Sequence, residues 1–508
     1  MKKLLMCSIA LTMLLFSCSK EEIVTPQSEA VPELEDAFQK VLSIEEINTY
    51  IDEQFQTTGS FDWTQATNQV LYSAVYHGNK ILTVGYGSKG ASFEKAGDQE
   101  SPRAKQEVLQ LIQETEGTVE KSERFYEDDI LNYMDVEVNS LQTIEQLRGR
   151  DDIIRYLEPN GYSFYQRGAS YDVPLPKSSK GCNKDNQTIA APDYRNVAPG
   201  AQVSWTFDQH NITQAWNYST GAGVTVGVID TGISSSQYLL SNAGFNDGYS
   251  SNRTVQRYGT FIDSSWWWSN NLDGPHDKCG HGTSMASTMT SPRNNDNLPV
   301  GVAYNSNLVS YRGTEDVVLD DYHERKGVSN ALKALANRSD VKIISMSIGY
   351  PWSIGNVKDA VRYAHSRGKL IFAAGGTSTS ITNWYGVIFP ASMSETVAVT
   401  GITDNGRYDR CDVCHSGSKI DFTVVMQREG DGDRTAPVAG FYSGNRQYVG
   451  GSSVATATTA GIAALVWARY PSWSRDQVLS KLRQAAAFYP NKSSDYGYGN
   501  IDALKAVQ

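Results

Sequence analysis

A chain of 508 residues exceeds one ordinary domain and suggests about three units of roughly 150 residues each. Its make-up, 40% hydrophobic and 20% charged, is that of a folded globular protein, and the formal net charge of −11 is spread without a basic block. Nucleic-acid binding relies on clustered Lys and Arg that release phosphate counterions, so nucleic acid is not an expected partner.

At the start, Lys2 and Lys3 precede an apolar run over residues 4–16 that is too short for a permanent membrane helix and reads as a removable targeting segment. It ends in Leu15-Phe16-Ser17-Cys18, which resembles a bacterial lipoprotein box. The resemblance implies a signal peptide over 1–17 and a diacylglyceryl group on the thiol of Cys18; an ordinary signal peptide with a stray cysteine is the alternative. Ser19-Lys20-Glu21-Glu22 resembles the short acidic signal that sends lipoproteins of Bacteroidota to the cell surface, implying an exported outer-membrane lipoprotein. No other stretch approaches the eighteen or so apolar residues of a membrane helix, so lipid is the expected sole membrane anchor. Residues 18–44, acidic and carrying Pro26 and Pro32, read as a solvated tether.

From about Leu42 the pattern changes. Residues 70–76 and 80–86 alternate apolar and polar around His77-Gly78-Asn79 and predict a β-hairpin. Val108, Leu109, Leu111 and Ile112 predict a helix over 104–114. A strand at 134–138, a helix at 141–148 and a strand at 153–157 follow, so 45–166 reads as a small α+β domain. Pro, Ser, Lys and Gly crowd residues 168–183, and 167–202 read as a linker leading into the last unit.

Residues 203–508 read as α/β. Nearly continuous apolar runs at 224–229, 308–311, 342–347, 370–374 and 396–399 predict strands buried on both faces. Helices expected at 329–336, 357–367 and 455–470 intervene, which points to a doubly wound, mostly parallel sheet.

Three motifs on this unit carry chemistry. Gly227-Val228-Ile229-Asp230-Thr231-Gly232 sets an acid at the carboxyl end of a strand, where open α/β sheets hold their ligands. Gly280-His281-Gly282-Thr283 sets an imidazole between two glycines at a helix start, and Gly450-Gly451-Ser452-Ser453-Val454-Ala455 opens a long apolar helix with a serine. Taken singly, each has a plainer reading: a turn former, a structural histidine, an N-cap. Together they supply a nucleophile, a base and the carboxylate that orients the base. Their order and their neighbours over 203–488 resemble the subtilase family of subtilisin-like serine peptidases.

That resemblance implies an endopeptidase acting on proteins or peptides through an Asp230, His281, Ser453 triad and an acyl-enzyme. Upstream, Asp135-Val136-Glu137-Val138, then Leu141, Ile144 and Leu147, then Ile154-Arg155-Tyr156-Leu157-Glu158-Pro159 resemble the second half of the subtilase propeptide. This implies that 45–166 are a folding template and temporary inhibitor, cut off near residues 165–168. The resemblance also assigns Ser347-Ile348-Gly349 to the edge that pairs with the substrate backbone and Tyr311-Arg312-Gly313 to the facing edge. Phe389-Pro390 falls at a turn of the family that is often cis.

Two departures stand out. The family's Gly-Thr-Ser-Met-Ala, a small residue and Pro correspond to Gly451-Ser452-Ser453-Val454-Ala455-Thr456-Ala457, which keeps the nucleophile. In Ala373-Ala374-Gly375-Gly376-Thr377, Gly376 stands where the family has the Asn that donates to the oxyanion beside the backbone of Ser453. Thr377, Ser378, Ser380 or Asn383 could supply a substitute donor. The competing reading is a pseudoprotease that keeps the fold for binding.

Cys7 and Cys18 aside, Cys182, Cys279, Cys411 and Cys414 remain, and thiols outside the cytoplasm favour two disulfides in one of three pairings. One pairing ties Cys279, beside His281, to Cys182. Cys411-Asp412-Val413-Cys414-His415 also spells a haem-attachment pattern, but a surface-loop disulfide is expected; a zinc site lacks a second pair. No cofactor is required. Many relatives hold structural calcium, for which Glu429-Gly430-Asp431-Gly432-Asp433 offers carboxylates, although a solvated loop accounts for that run equally.

Overall fold

The computed structural model describes residues 41–88, 93–117, 122–165, 181–378 and 386–508. The leader, Cys18, most of the tether, the expected cut beyond Tyr165, Ser380 and Asn383 lie outside the described residues. Helix α1 (Ile44–Thr58) starts with a capping box in which Ser43 accepts from the Glu46 amide and Glu46 accepts from the Ser43 amide, and it ends at Gly59 with φ 73°.

The first half of the expected hairpin is instead a helix, α2 (Asn68–His77), capped by Thr67, whose hydroxyl accepts from the Val70 amide. The alternation misleads because Val70 through Val75 are all buried, so polar residues there do not mark a solvent face. The second half is a strand, β1 (Ile81–Tyr86). Then come α3 (Ser101–Glu116), β2 (Phe125–Glu127), β3 (Tyr133–Glu137), α4 (Leu141–Arg148) and β4 (Ile154–Glu158). The four strands form an antiparallel sheet in the order β2-β3-β1-β4.

A short hairpin, β5 (Tyr194–Val197) and β6 (Ala201–Ser204), and two single-turn helices, α5 (Trp205–Asp208) and α6 (Ile212–Ala215), lead into the large sheet. Its strands and helices are β7 (Thr225–Asp230), β8 (Val255–Gly259), α7 (His281–Thr290), β9 (Asn307–Arg312), α8 (Tyr322–Ala336), β10 (Val341–Met346), α9 (Gly355–Ser366), β11 (Leu370–Ala374), β12 (Val397–Thr403) and β13 (Ile420–Gln427). The chain continues through the hairpin β14 (Ala436–Ala439) and β15 (Arg446–Val449) into α10 (Gly451–Arg469). The sheet order is β13-β12-β11-β10-β7-β9-β8, and every neighbouring pair is parallel.

Successive side chains feed opposite faces. On β10, Ile344 and Met346 join the core under α8 and α9, while Ile343 joins the core under α7 and α10. This double covering makes the strands continuous apolar runs. Helix α8 begins at Tyr322, well before the expected 329, because its first turns carry His323, Glu324, Arg325 and Lys326, polar yet buried. Helix α10 is long and apolar enough to cross a membrane, which corrects the expectation that no such stretch follows the leader; 89% of its apolar window is buried inside the fold.

The N-terminal unit shares a core with the α8–α9 face. The rings of Phe55, Phe61 and Trp63 lie 5.8, 5.0 and 6.4 Å from that of Trp352. Polar groups cross the same boundary. The Arg155 guanidinium holds both oxygens of Asp359 at 3.0 and 2.6 Å, Lys333 pairs with Asp128, and the Tyr322 hydroxyl donates to Asp135 at 2.7 Å. Glu158 accepts the Gly355 amide at the N-terminus of α9 at 2.7 Å, and Asp320 accepts the amides of Phe164 and Tyr165. The Phe389-Pro390 peptide is cis. Disulfides join Cys182 to Cys279 and Cys411 to Cys414. The second is buried rather than on a surface loop, and the pairing leaves neither of its cysteines for haem or zinc.

Candidate active site

Asp230 is the last residue of β7, His281 the first of α7 and Ser453 lies in the first turn of α10. Glycine brings the first two together, because a side chain at position 282 would meet the Gly232 carbonyl oxygen at 2.4 Å. His281 Nδ1 lies 2.8 Å from Asp230 Oδ1, which also accepts the Thr231 amide at 2.8 Å; both side chains are buried, at 8% and 1% exposure. Burial alone would lower the pKa of His281. The charge and hydrogen bond of Asp230, with Asp277 and Asp316 beyond, outweigh it and leave the pKa raised. A base so placed is favoured in the charged form it takes on receiving a proton.

Sequence reasoning missed Asp277. Its Oδ1 accepts from the Cys279 and Gly280 amides at 2.7 and 2.8 Å and from the Thr231 hydroxyl at 2.9 Å. Its Oδ2 accepts from the amide and hydroxyl of Thr283 at 3.0 and 2.6 Å. One carboxylate thus fastens the start of α7 to the end of β7. An Asp ahead of the helix-opening Gly-His-Gly was the available signal, as side chains of this kind bond backbone amides a few residues on.

His281 and Ser453 line one cleft of about 240 Å³ together with Ser347, Ile348, Gly349, Gly376 and Thr377. Ser347 donates to the Ser453 carbonyl at 3.0 Å. The expected facing edge is not there. Tyr311 and Arg312 lie inside the sheet, paired with β7 and β8, the Arg312 carbonyl accepts from Thr260 and Phe261, and the Gly313 amide donates to Asp230. With their backbone groups taken, these three residues are no free edge. The segment facing Gly349 runs a few residues later: the Gly349 amide donates to the Val317 carbonyl at 3.0 Å, and the Leu319 amide donates to the Gly349 carbonyl at 3.0 Å. A peptide strand entering between these segments must displace both bonds.

Gly376 lines the cleft with φ 126°. Its amide donates to the Ser452 hydroxyl at 3.1 Å; that hydroxyl lies 3.0 Å from Thr377 Oγ1, which accepts the Ser452 amide at 3.1 Å. Thr377 is therefore at the site, whereas Ser378 bonds His415 at 3.2 Å. Among the described residues no group of three or more His, Cys, Asp or Glu is placed to hold a metal, and Glu429 pairs with Arg407 at 2.6 Å.

The sequence profile of the Subtilase family matches residues 221–499. A "Thermostable alkaline protease" of Halalkalibacterium halodurans is 30% identical over 375 residues, spanning 69% of this chain and 91% of that protein. "Subtilisin E" of Bacillus subtilis is 30% identical over 290 residues, 57% of this chain and 67% of its own. Among solved structures, a protease of Pseudoalteromonas arctica aligns at 24% identity with a TM-score of 0.47, over 59% of this chain and 93% of its own.

Proposed function

Because the chain belongs to the subtilase family of serine peptidases, we propose that it is an endopeptidase in which Ser453 attacks the peptide carbonyl while His281 takes its proton. His281 then returns the proton to the leaving amine, and water hydrolyses the acyl-enzyme by the same route reversed. The observation that carries this reading is the buried Asp230–His281 pair beside Ser453 in one cleft. The oxyanion receives the Ser453 amide at the start of α10, where the helix dipole favours negative charge. The Thr377 and Ser452 hydroxyls, linked at 3.0 Å, take over from the missing Asn side chain.

Residues 45–166 act as an inhibitory propeptide. Tyr165 lines the cleft beside Ser347 and Gly349, and its amide is held by Asp320, as suits a chain end presented for cutting. The product is exported, in keeping with two disulfides, and carries lipid on Cys18. A cut near 165–168 separates Cys18 from the catalytic unit. The buried Arg155–Asp359 pair and the rings around Trp352 then keep the two pieces together.

The pseudoprotease reading rests on Gly376 alone. A fluorophosphonate added to the folded wild type, followed by peptide mapping, separates the two: modification of Ser453 is expected, and folded protein that takes no label there overturns the peptidase. In parallel, the Ser453→Ala precursor is expected to stay at full length while wild type acquires a new N-terminus near residue 168.

A further inference from the structure

The arm that follows the cut region does not leave the site. Residues Gly181 and Asn183 line the cleft with His281 and Val317, and Cys182 between them is bonded to Cys279, two residues before His281. The arm lies at contact distance from its surroundings. A side chain on Gly181, at φ 84°, would come within 3.0 Å of both methyl groups of Val317, and one on Gly280 would meet the Asn183 carbonyl oxygen at 2.0 Å. From there the arm continues along β15, whose Gln447, Tyr448 and Val449 also line the cleft. The Gln187 amide donates to Arg446 at 2.7 Å, Gln187 Oε1 accepts the Tyr448 amide at 2.6 Å, and the Ala190 amide donates to the Tyr448 hydroxyl at 2.9 Å.

We propose that residues 181–187 are a specificity-determining strap: stapled to the histidine loop by Cys182–Cys279, they form a fixed wall of the cleft beside His281 that admits only small substrate side chains there. The proposal rests on the peptidase reading above. Once the chain is cut upstream, the arm is close to a chain end; the staple restrains it where the fit is closest. A bulky side chain directed at the strap meets Gly181 packed on the Val317 methyl groups and the Asn183 backbone packed on Gly280, and the arm cannot retreat from either while the disulfide is closed.

The test uses the mature enzyme and two fluorogenic peptides that differ only in Ala or Phe at the residue before the one whose bond is cut. Fluorophosphonate labelling of wild type at Ser453 is confirmed first, so that failure of the peptidase reading shows there and not in the comparison. Wild type is expected to prefer the Ala peptide. In Cys182→Ser/Cys279→Ser the ratio of kcat/KM for Ala over Phe should fall about tenfold, a size ordinary for a change in pocket room. Gly181→Ala keeps the staple but strains the arm at φ 84° and crowds the Val317 methyl groups, so the ratio should shift by more than twofold. If the double variant does not fold, Gly181→Ala decides alone. A ratio within twofold of wild type in every folded variant overturns the strap.

Discussion

Gly376, which the family resemblance sets at the position of an oxyanion donor, is closely hemmed in by its neighbours. A Cβ there would lie 2.2 Å from His415 Nδ1, and φ 126° is a backbone conformation that side-chain-bearing residues avoid. His415 is held by the Gly386 carbonyl at 2.9 Å and by Ser378, so it cannot swing away freely. Writing the family's Asn back in is therefore expected to do harm. Gly376→Asn should destabilise the protein by about 1–3 kcal/mol from backbone strain alone, seen as a lower Tm, and should leave turnover unimproved. In subtilisin itself, loss of the Asn donor costs about 10²–10³-fold. An Asn variant that gained turnover at an unchanged Tm would mean that the loop reshapes at no cost and that Thr377 and Ser452 compensate for nothing.

At the scale of elements, the three residues proposed as a triad drew notice in the sequence because they stand at the ends of β7, α7 and α10, where apolar runs stop against glycine-rich turns. The parallel strands were legible for the same reason, being covered on both faces. Helix α2 was not, since burial all round erases its periodicity, and neither were the first turns of α8, where Glu324 is buried by bonds to the loop just before the helix and Arg325 by the distant carbonyls of Asn160 and Tyr162. The edge at Val317–Leu319 is a loop segment with no pattern of its own, so the resemblance alone put it on β9, four or more residues early. Asp277 joins two elements through side-chain bonds, and its place just ahead of the helix-opening glycines was the one sign of it. Its charge also helps to raise the pKa of His281. In Asp277→Asn that negative charge is gone, the imidazolium is less favoured, and the acid limb of kcat/KM should move to lower pH. Loss of one acceptor for Thr283 should cost roughly 1–3 kcal/mol of stability as well. An acid limb that stays in place while stability falls would confine Asp277 to fastening α7.

Across the whole molecule, buried polar groups link the N-terminal unit to the catalytic one, and one of them titrates near neutrality. Burial drives the pKa of Glu158 up to about 7, against the opposing pull of Lys358, the Gly355 amide and Arg325, with Asp62 adding to the rise. In the unfolded chain an ordinary glutamate titrates near 4.5. A folded-state pKa above the unfolded one means that the protonated form is favoured in the fold. The docked arrangement is thus most stable below about pH 4.5 and loses stability as pH rises through about 7. The span between the two values corresponds to at most about 3 kcal/mol. Other buried carboxylates shift too, Asp135 upward and Asp128 downward, so the pH profile of one protein does not isolate Glu158. Comparison with Glu158→Gln does, because Gln keeps an acceptor for Gly355 and cannot ionise. In the uncut Ser453→Ala background, denaturant unfolding should give similar stabilities for the two proteins at pH 4, with the Gln variant becoming progressively the more stable up to pH 8. A difference that stays constant with pH would show that Glu158 is not the group that loosens the N-terminal unit. Under the proposed propeptide reading, a growing difference implies that acid keeps the N-terminal unit in place after the cut and neutral pH favours its departure.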